Sequence, residues 1–163
     1  MDRRQLLVGG AAVASVLPLA RAATAQTEIE ADKIPALEGG MFAKMSSDLA
    51  LTKSQTENVL AFAQLESTEQ EAVMRAFGAE GVELPLREDH AALMEQLNAL
   101  EGAEFDLAYI DGQIAGHEEL RGIHSDYAAN GSDPQARGGS IVGVPSIDTH
   151  LVMLRSFRDQ LAA

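Results

Sequence analysis

Apolar residues along most of this chain recur at intervals of three and four and almost nowhere alternate. That period places them on single faces of α-helices. β-branched residues do not gather into short runs bounded by turns, so strands have no foothold. From Gly39 onward, Met41, Met45, Leu49 and Thr52 form a first stripe. Ser54 and Thr56 open a second helix, with Ser54 and Glu57 spaced as a capping box. Val59, Phe62, Ala63, Val73 and Phe77 carry its stripe to Gly78 or Gly81, ahead of Pro85. Leu86, Leu93, Leu97 and Leu100 mark a shorter amphipathic stretch over 86–100, which Gly102 breaks. Phe105, Ile110, Ile114, Leu120 and Tyr127 mark a long helix that stops at "NGSDP", residues 130–134. A last helix runs from about Asp133 to Ala162, and "GGSIVGVP" at 138–145 predicts a kink or an interruption at Pro145. The expected fold is all-α: an antiparallel four-helix bundle over residues 39–163, with an additional short helix and a Pro-kinked or interrupted last helix.

Polar residues break these stripes at positions that a bundle would bury. Glu66 and Gln70 share the face of Val59, Phe62, Ala63 and Val73. Asp106, Tyr109, Gln113 and His117 follow one another at spacings of three and four, and His124 extends that line. His150 stands beside Ile147, Leu151 and Leu154. A buried ionised carboxylate is costly unless it is paired, hydrogen-bonded or bound to metal, so these residues are expected to meet. Two arrangements satisfy them. In one, Glu66 or Asp106 accepts from His117 or His150, and Gln70, Tyr109 and Gln113 complete a hydrogen-bond network. In the other, Glu66, His117 and His150 converge on a divalent metal ion. The Glu-x-x-His pairs of di-iron bundles are missing: Glu66 is followed three residues later by Glu69, while His117 and His150 are preceded by Ile114 and Ile147.

Other candidates carry less. His90, in "REDH", reads as a surface histidine, and Glu28, Glu30, Glu80, Glu83 and Glu88 read as solvated carboxylates. Met41, Met45, Met74, Met94 and Met153 are spaced as core filler rather than as a soft-metal site. No glycine-rich phosphate loop precedes a helix and no nucleophile–base arrangement stands out, so neither catalytic nor cofactor-binding residues are assigned.

The N-terminal stretch has the layout of an export signal. Arg3 and Arg4 form a cationic head, Leu6 to Leu19 is uncharged and apolar, and Ala23 to Ala25 supply small residues for cleavage before Gln26. The pair followed by Gln5, Leu6 and Leu7 resembles a twin-arginine signal. The apolar run falls short of the ~20 residues a membrane-spanning helix needs, so no stable transmembrane anchor is expected after processing. Residues 1–25 are thus expected to be removed, 26–38 to form a flexible leader, and the product to reside in the periplasm. Removing residues 1–25 takes three basic residues and one acidic one from a chain of net charge −13, leaving −15. Such a charge repels nucleic acid. With no cysteine, disulfides and thiolate sites are excluded.

The phrase "EFDLAYIDGQIAGHEEL", with Phe105, Asp106, Tyr109 and His117, resembles a family of exported bacterial proteins called domain of unknown function forty-one forty-two. Ile147, His150 and Leu151 match that family's second pattern, and the likeness covers about residues 39–160. Where many members carry Asp-His in the second helix, this chain has Glu69 and Gln70. The resemblance implies a ferritin-like helical bundle secreted to the periplasm, in a family with no settled activity. The functional expectation is a periplasmic, non-enzymatic module with a structural, binding or stress-protective role. The alternatives are a metal-binding, redox-active protein using Glu66, His117 and His150, and an envelope interaction partner that presents its negative charge to a basic protein.

Overall fold

The computed structural model describes residues 29–163. The export segment, Glu28 and the first residues of the leader lie outside the described residues. Within them the chain forms five helices and no strand: α1 (Ile34–Lys53), α2 (Glu57–Ala76), α3 (Glu88–Ala99), α4 (Gly102–Asn130) and α5 (Pro134–Leu161). The four long helices make the bundle. Short connections turn α1 into α2 and α4 into α5. Ser47 meets Tyr109 and Gly39 meets Leu120, so α1 and α4 run antiparallel. Asn58 bonds Gln160 and Glu69 bonds Ser146, so α2 and α5 do as well. The order is up, down, down, up, with the long connection through α3 returning the chain along the bundle.

The first helix departs from expectation twice. It begins at Ile34 rather than at Gly39, so residues 34–38 belong to the bundle and not to a leader. Pro35 sits in the first turn, where a missing N–H costs nothing, and Ala36 and Leu37 are buried against Phe77, Ala79, Tyr127 and Ala136. The buried face is also not the one the methionines mark: Met45 and Thr52 are exposed, and Met41 and Leu49 are half-buried. Leu37, Gly39, Gly40, Ala43, Ser46, Ser47 and Ala50 face inward instead. Small residues win because the neighbours come close. A Cβ at Gly39 would lie 2.6 Å from Leu120 Cδ2, and one at Gly40 would lie 2.5 Å from Gln70 Oε1.

The expected capping box does not form. The Ser54 hydroxyl accepts from the Thr56 N–H at 3.1 Å, and the Thr56 hydroxyl donates at 2.5 Å to Asp106 of α4, a tertiary acceptor that Glu57 cannot match. At its other end α2 stops where the glycine signal placed it. Gly78 adopts a φ of 71°, and the N–H groups of Ala79 and Gly78 bond back to Met74 and Arg75. That is the left-handed glycine cap that closes many helices. Lys53 donates to the carbonyls of Leu97 and Asn98, which closes α3.

Asp133 caps α5, accepting from the N–H groups of Gln135 and Ala136, and pairs with Lys33 at the start of α1. The helix then runs unbroken through "GGSIVGVP" with Pro145 inside it, so of the two expectations, a kink or an interruption, the interruption is absent. Pro145 lacks the N–H that the fourth residue back would accept. Its ring lies on the exposed side, and Ile147, His150, Leu151 and Leu154 anchor the C-terminal half of the helix in the interior. Packing outweighs local propensity here.

Two apolar clusters occupy opposite ends of the bundle. One gathers Val59, Phe62, Ala63, Phe105, Tyr109, Ile110 and Leu154, with Met94 and Met153 against it. The other gathers Ala36, Leu37, Phe77, Ala79, Tyr127 and Ala136, with Met74 against it. Between them, at mid-length of three helices, lie Glu66, His117 and His150.

Candidate metal centre

Glu66 on α2, His117 on α4 and His150 on α5 each point inward, with exposures of 0%, 1% and 3%. Glu66 Oε2 lies 3.3 Å from His117 Nε2 and 3.1 Å from His150 Nδ1, and the two ring nitrogens are 3.2 Å apart. Three potential ligand atoms therefore form a nearly equilateral triangle. Phe62 packs against both rings, with centroids 5.9 Å from His117 and 5.4 Å from His150.

The surroundings dictate what those atoms are. His117 Nδ1 lies 2.8 Å from the Gln113 carbonyl, which can only accept, so Nδ1 carries the proton. In a neutral ring Nε2 then offers a lone pair to the triangle. On the far side of His150, Nε2 faces the Glu69 carboxylate at 3.4 Å, which favours the proton there and a lone pair on Nδ1. Glu69 is itself held by the Ser146 hydroxyl at 2.7 Å. Burial by itself would raise the Glu66 carboxyl. A proton shared with the facing imidazoles, together with the Gln70 amide, outweighs it and holds the group well below the usual carboxylate range, so Glu66 is an anion. Its Oε1 accepts from Gln70 Nε2 at 2.8 Å, while its buried Oε2 has no hydrogen-bond donor among the described residues. Burial lowers the His150 pKa, but the Glu66 and Glu69 carboxylates more than offset that and raise it.

Two lone pairs and a carboxylate oxygen thus converge with one positive charge wanting among them. A shared proton supplies it, and so does a metal ion. A tetrahedral ion with bonds of ~2.0–2.1 Å sets its ligand atoms about 3.3–3.4 Å apart, close to the spacings here. Outer partners that fix the tautomer of ligating histidines are the usual support of such sites.

The other expected members of the cluster do not join the triangle. Asp106 bonds Thr56 at the corner between α1 and α2, leaving Oδ1 unpartnered. Tyr109 bonds Ser47 at 2.9 Å, and burial raises its pKa. Gln113 donates to the Ala43 carbonyl, Ser46 and Ser47. Tyr109 and Gln113 form a separate network with Ala43, Ser46 and Ser47 between α1 and α4, and the link to the triangle is the Gln113 backbone carbonyl. Ser46, Ser47 and Glu69 were not singled out from the sequence. The signal for the serines was their place among small residues of α1; for Glu69 it was the position three residues after Glu66.

His90 is not a surface residue. It is 7% exposed, stacks on Phe42 with centroids 4.4 Å apart, and lies 3.1 Å from Arg87. Burial and the Arg87 charge lower its pKa. The reason is tertiary, since α3 packs against α1 and α4 and turns that face toward Phe42. Glu30, Glu80, Glu83 and Glu88 are exposed as expected. Further along α4, His124 bonds Ser140 at 2.9 Å and meets the edge of Phe77, and burial pulls its pKa down to about 4. Among the described residues, no carboxylate bonds it.

A family model described as "Domain of unknown function (DUF4142)" matches residues 17–157, which include all three triangle residues. No curated protein and no solved structure matches the chain. Among the described residues, no helix is long and apolar enough to cross a membrane.

Proposed function

We propose, for a chain that belongs to the DUF4142 family, that the bundle holds one divalent first-row transition ion through Glu66 Oε2, His117 Nε2 and His150 Nδ1. The observation that carries this reading is the triangle itself: three buried ligand atoms within 3.3 Å of one another, with both imidazoles backed by acceptors. Imidazole with carboxylate suits Zn²⁺, Fe²⁺ and Co²⁺ better than the all-oxygen ions Ca²⁺ and Mg²⁺. The Arg3–Arg4 signal supports a periplasmic setting for this function. A twin-arginine route, which carries folded proteins, would let the ion be inserted before export.

The test is a titration of chelator-treated, full-chain protein with Co²⁺, whose visible bands report coordination. One ion per chain is expected, displaced by Zn²⁺ and not by Mg²⁺, and His117→Ala should abolish the signal. Wild-type protein that stays folded and takes up no ion would establish the alternative, a buried proton-bridged network that serves only to specify packing.

A further inference from the structure

Resting on that reading, we infer that the groove between α2 and α5 is the route by which the cation reaches the triangle, with Glu69 as the capturing carboxylate. The groove has a volume of about 270 Å³. Six water molecules around an ion fill about 180 Å³ at ~30 Å³ each, so a hydrated cation fits. Ala72 and Ala76 of α2 and Gly139 and Gly143 of α5 wall it with little side chain. Glu69 and Ser146 lie at the end nearest the triangle. The other polar neighbours of the site, Gln70 and Gln113, are buried. Glu69 keeps 27% of its side chain in solvent while its Oε2 lies 3.4 Å from His150 Nε2, so one carboxylate touches both water and the ring that leads inward. The buried Glu66 Oε2 without a donor lies on the far side of that ring.

The wall formed by α5 is also the part of the bundle best suited to open. Gly138, Gly139, Gly143 and Pro145 fall within its first half. Interior glycines weaken a helix through backbone entropy, and an interior proline removes one of its hydrogen bonds. Local opening concentrates where helix stability is least, and opening here exposes Glu69 and the outer edge of His150.

Stopped-flow mixing of chelator-treated full-chain protein with Co²⁺ tests the route. Glu69→Gln should slow association by about tenfold or more, because a fixed negative charge steers a cation. Val142→Trp fills the groove from its exposed rim. It should slow association and release together, leaving Kd within about twofold. Ala115→Trp, in the separate groove between α3 and α4, should change neither rate. Wild-type association in Val142→Trp would overturn the route. A Glu69→Gln defect confined to dissociation would overturn capture, reducing Glu69 to a support for His150. Absence of any Co²⁺ uptake by wild-type protein would bring down the metal reading and the route together. Uptake with unchanged variant rates would bring down the route alone.

Discussion

His117 and His124 lie two turns apart on α4, equally buried and each beside a phenylalanine ring, yet their surroundings make them opposites. Around His117 stand an anion, a second imidazole and a backbone carbonyl, so the space between the rings calls for positive charge. Around His124 the bonded partner is a serine hydroxyl, and burial keeps the ring neutral. Burial of an imidazole is therefore no guide to its chemistry. The charge and bonding capacity of whatever shares its cavity decide whether it holds a cation or repels one.

The contrast is sharpest under substitution. Glu66→Leu should weaken Co²⁺ binding by more than about a hundredfold, since it removes the anionic ligand of the triangle and exceeds the 10–100-fold cost of losing a mere supporting partner. His124→Leu should leave one ion per chain. Loss of binding in both variants, measured by the same Co²⁺ titration, would erase the distinction.

Acid should act on His124 and on Glu66 in separate pH ranges. The folded-state pKa of His124 is about 4, below the ordinary 6.5, so the unfolded chain binds the extra proton first. Stability is then full above pH ~6.5 and falls as pH drops toward ~4, by up to about 3 kcal/mol. Glu66, whose carboxyl is depressed in the folded state, adds a further loss only below its unfolded value of 4.5. Urea unfolding at pH 7, 5.5 and 4.5 should show the first loss in the wild type and a flatter profile in His124→Asn. Equal slopes would show that His124 is not kept neutral by the fold.

A smaller effect probes the support of the triangle. At Gly40 an added Cβ meets Gln70 Oε1 at 2.5 Å, so Gly40→Ala should push the amide off Glu66. Expected are a loss of about 1–2 kcal/mol in stability and about tenfold in Co²⁺ affinity. Affinity equal to wild type would mean that Gln70 does not position Glu66. The smallest effect lies between the two histidines. Gly122 has open space around its Cβ position, so Gly122→Ala should stabilise α4 by about 0.5–1 kcal/mol and change neither Co²⁺ affinity nor the acid profile.

Much of the fold was legible in order and little of it in depth. The helix limits near Gly78, Gly102 and Asp133 came from residues whose backbone or side chain acts locally, as a left-handed glycine or a capping carboxylate does. The inward face of α1 is not marked by its large apolar residues, because close helix approach selects Gly39, Gly40, Ala43 and Ser47. The burial of His90 is hidden in the sequence because its neighbours there are charged, while its neighbour in space is Phe42. In the site, helical spacing marks Glu66, His117 and His150, but it makes Asp106 look an equal carboxylate. Only the fold sends it to Thr56 instead.

By itself the sequence determined that the chain is helical, where its helices end, and that three of them carry ionisable groups at mid-length. A period of three to four residues suffices for that, since it is a property of one helix. The tertiary structure alone decided which of those groups meet, which nitrogen each ring presents, and which serines and which glutamate stand behind them. Those choices depend on the rotation and separation of neighbouring helices, and local periodicity holds no information about either.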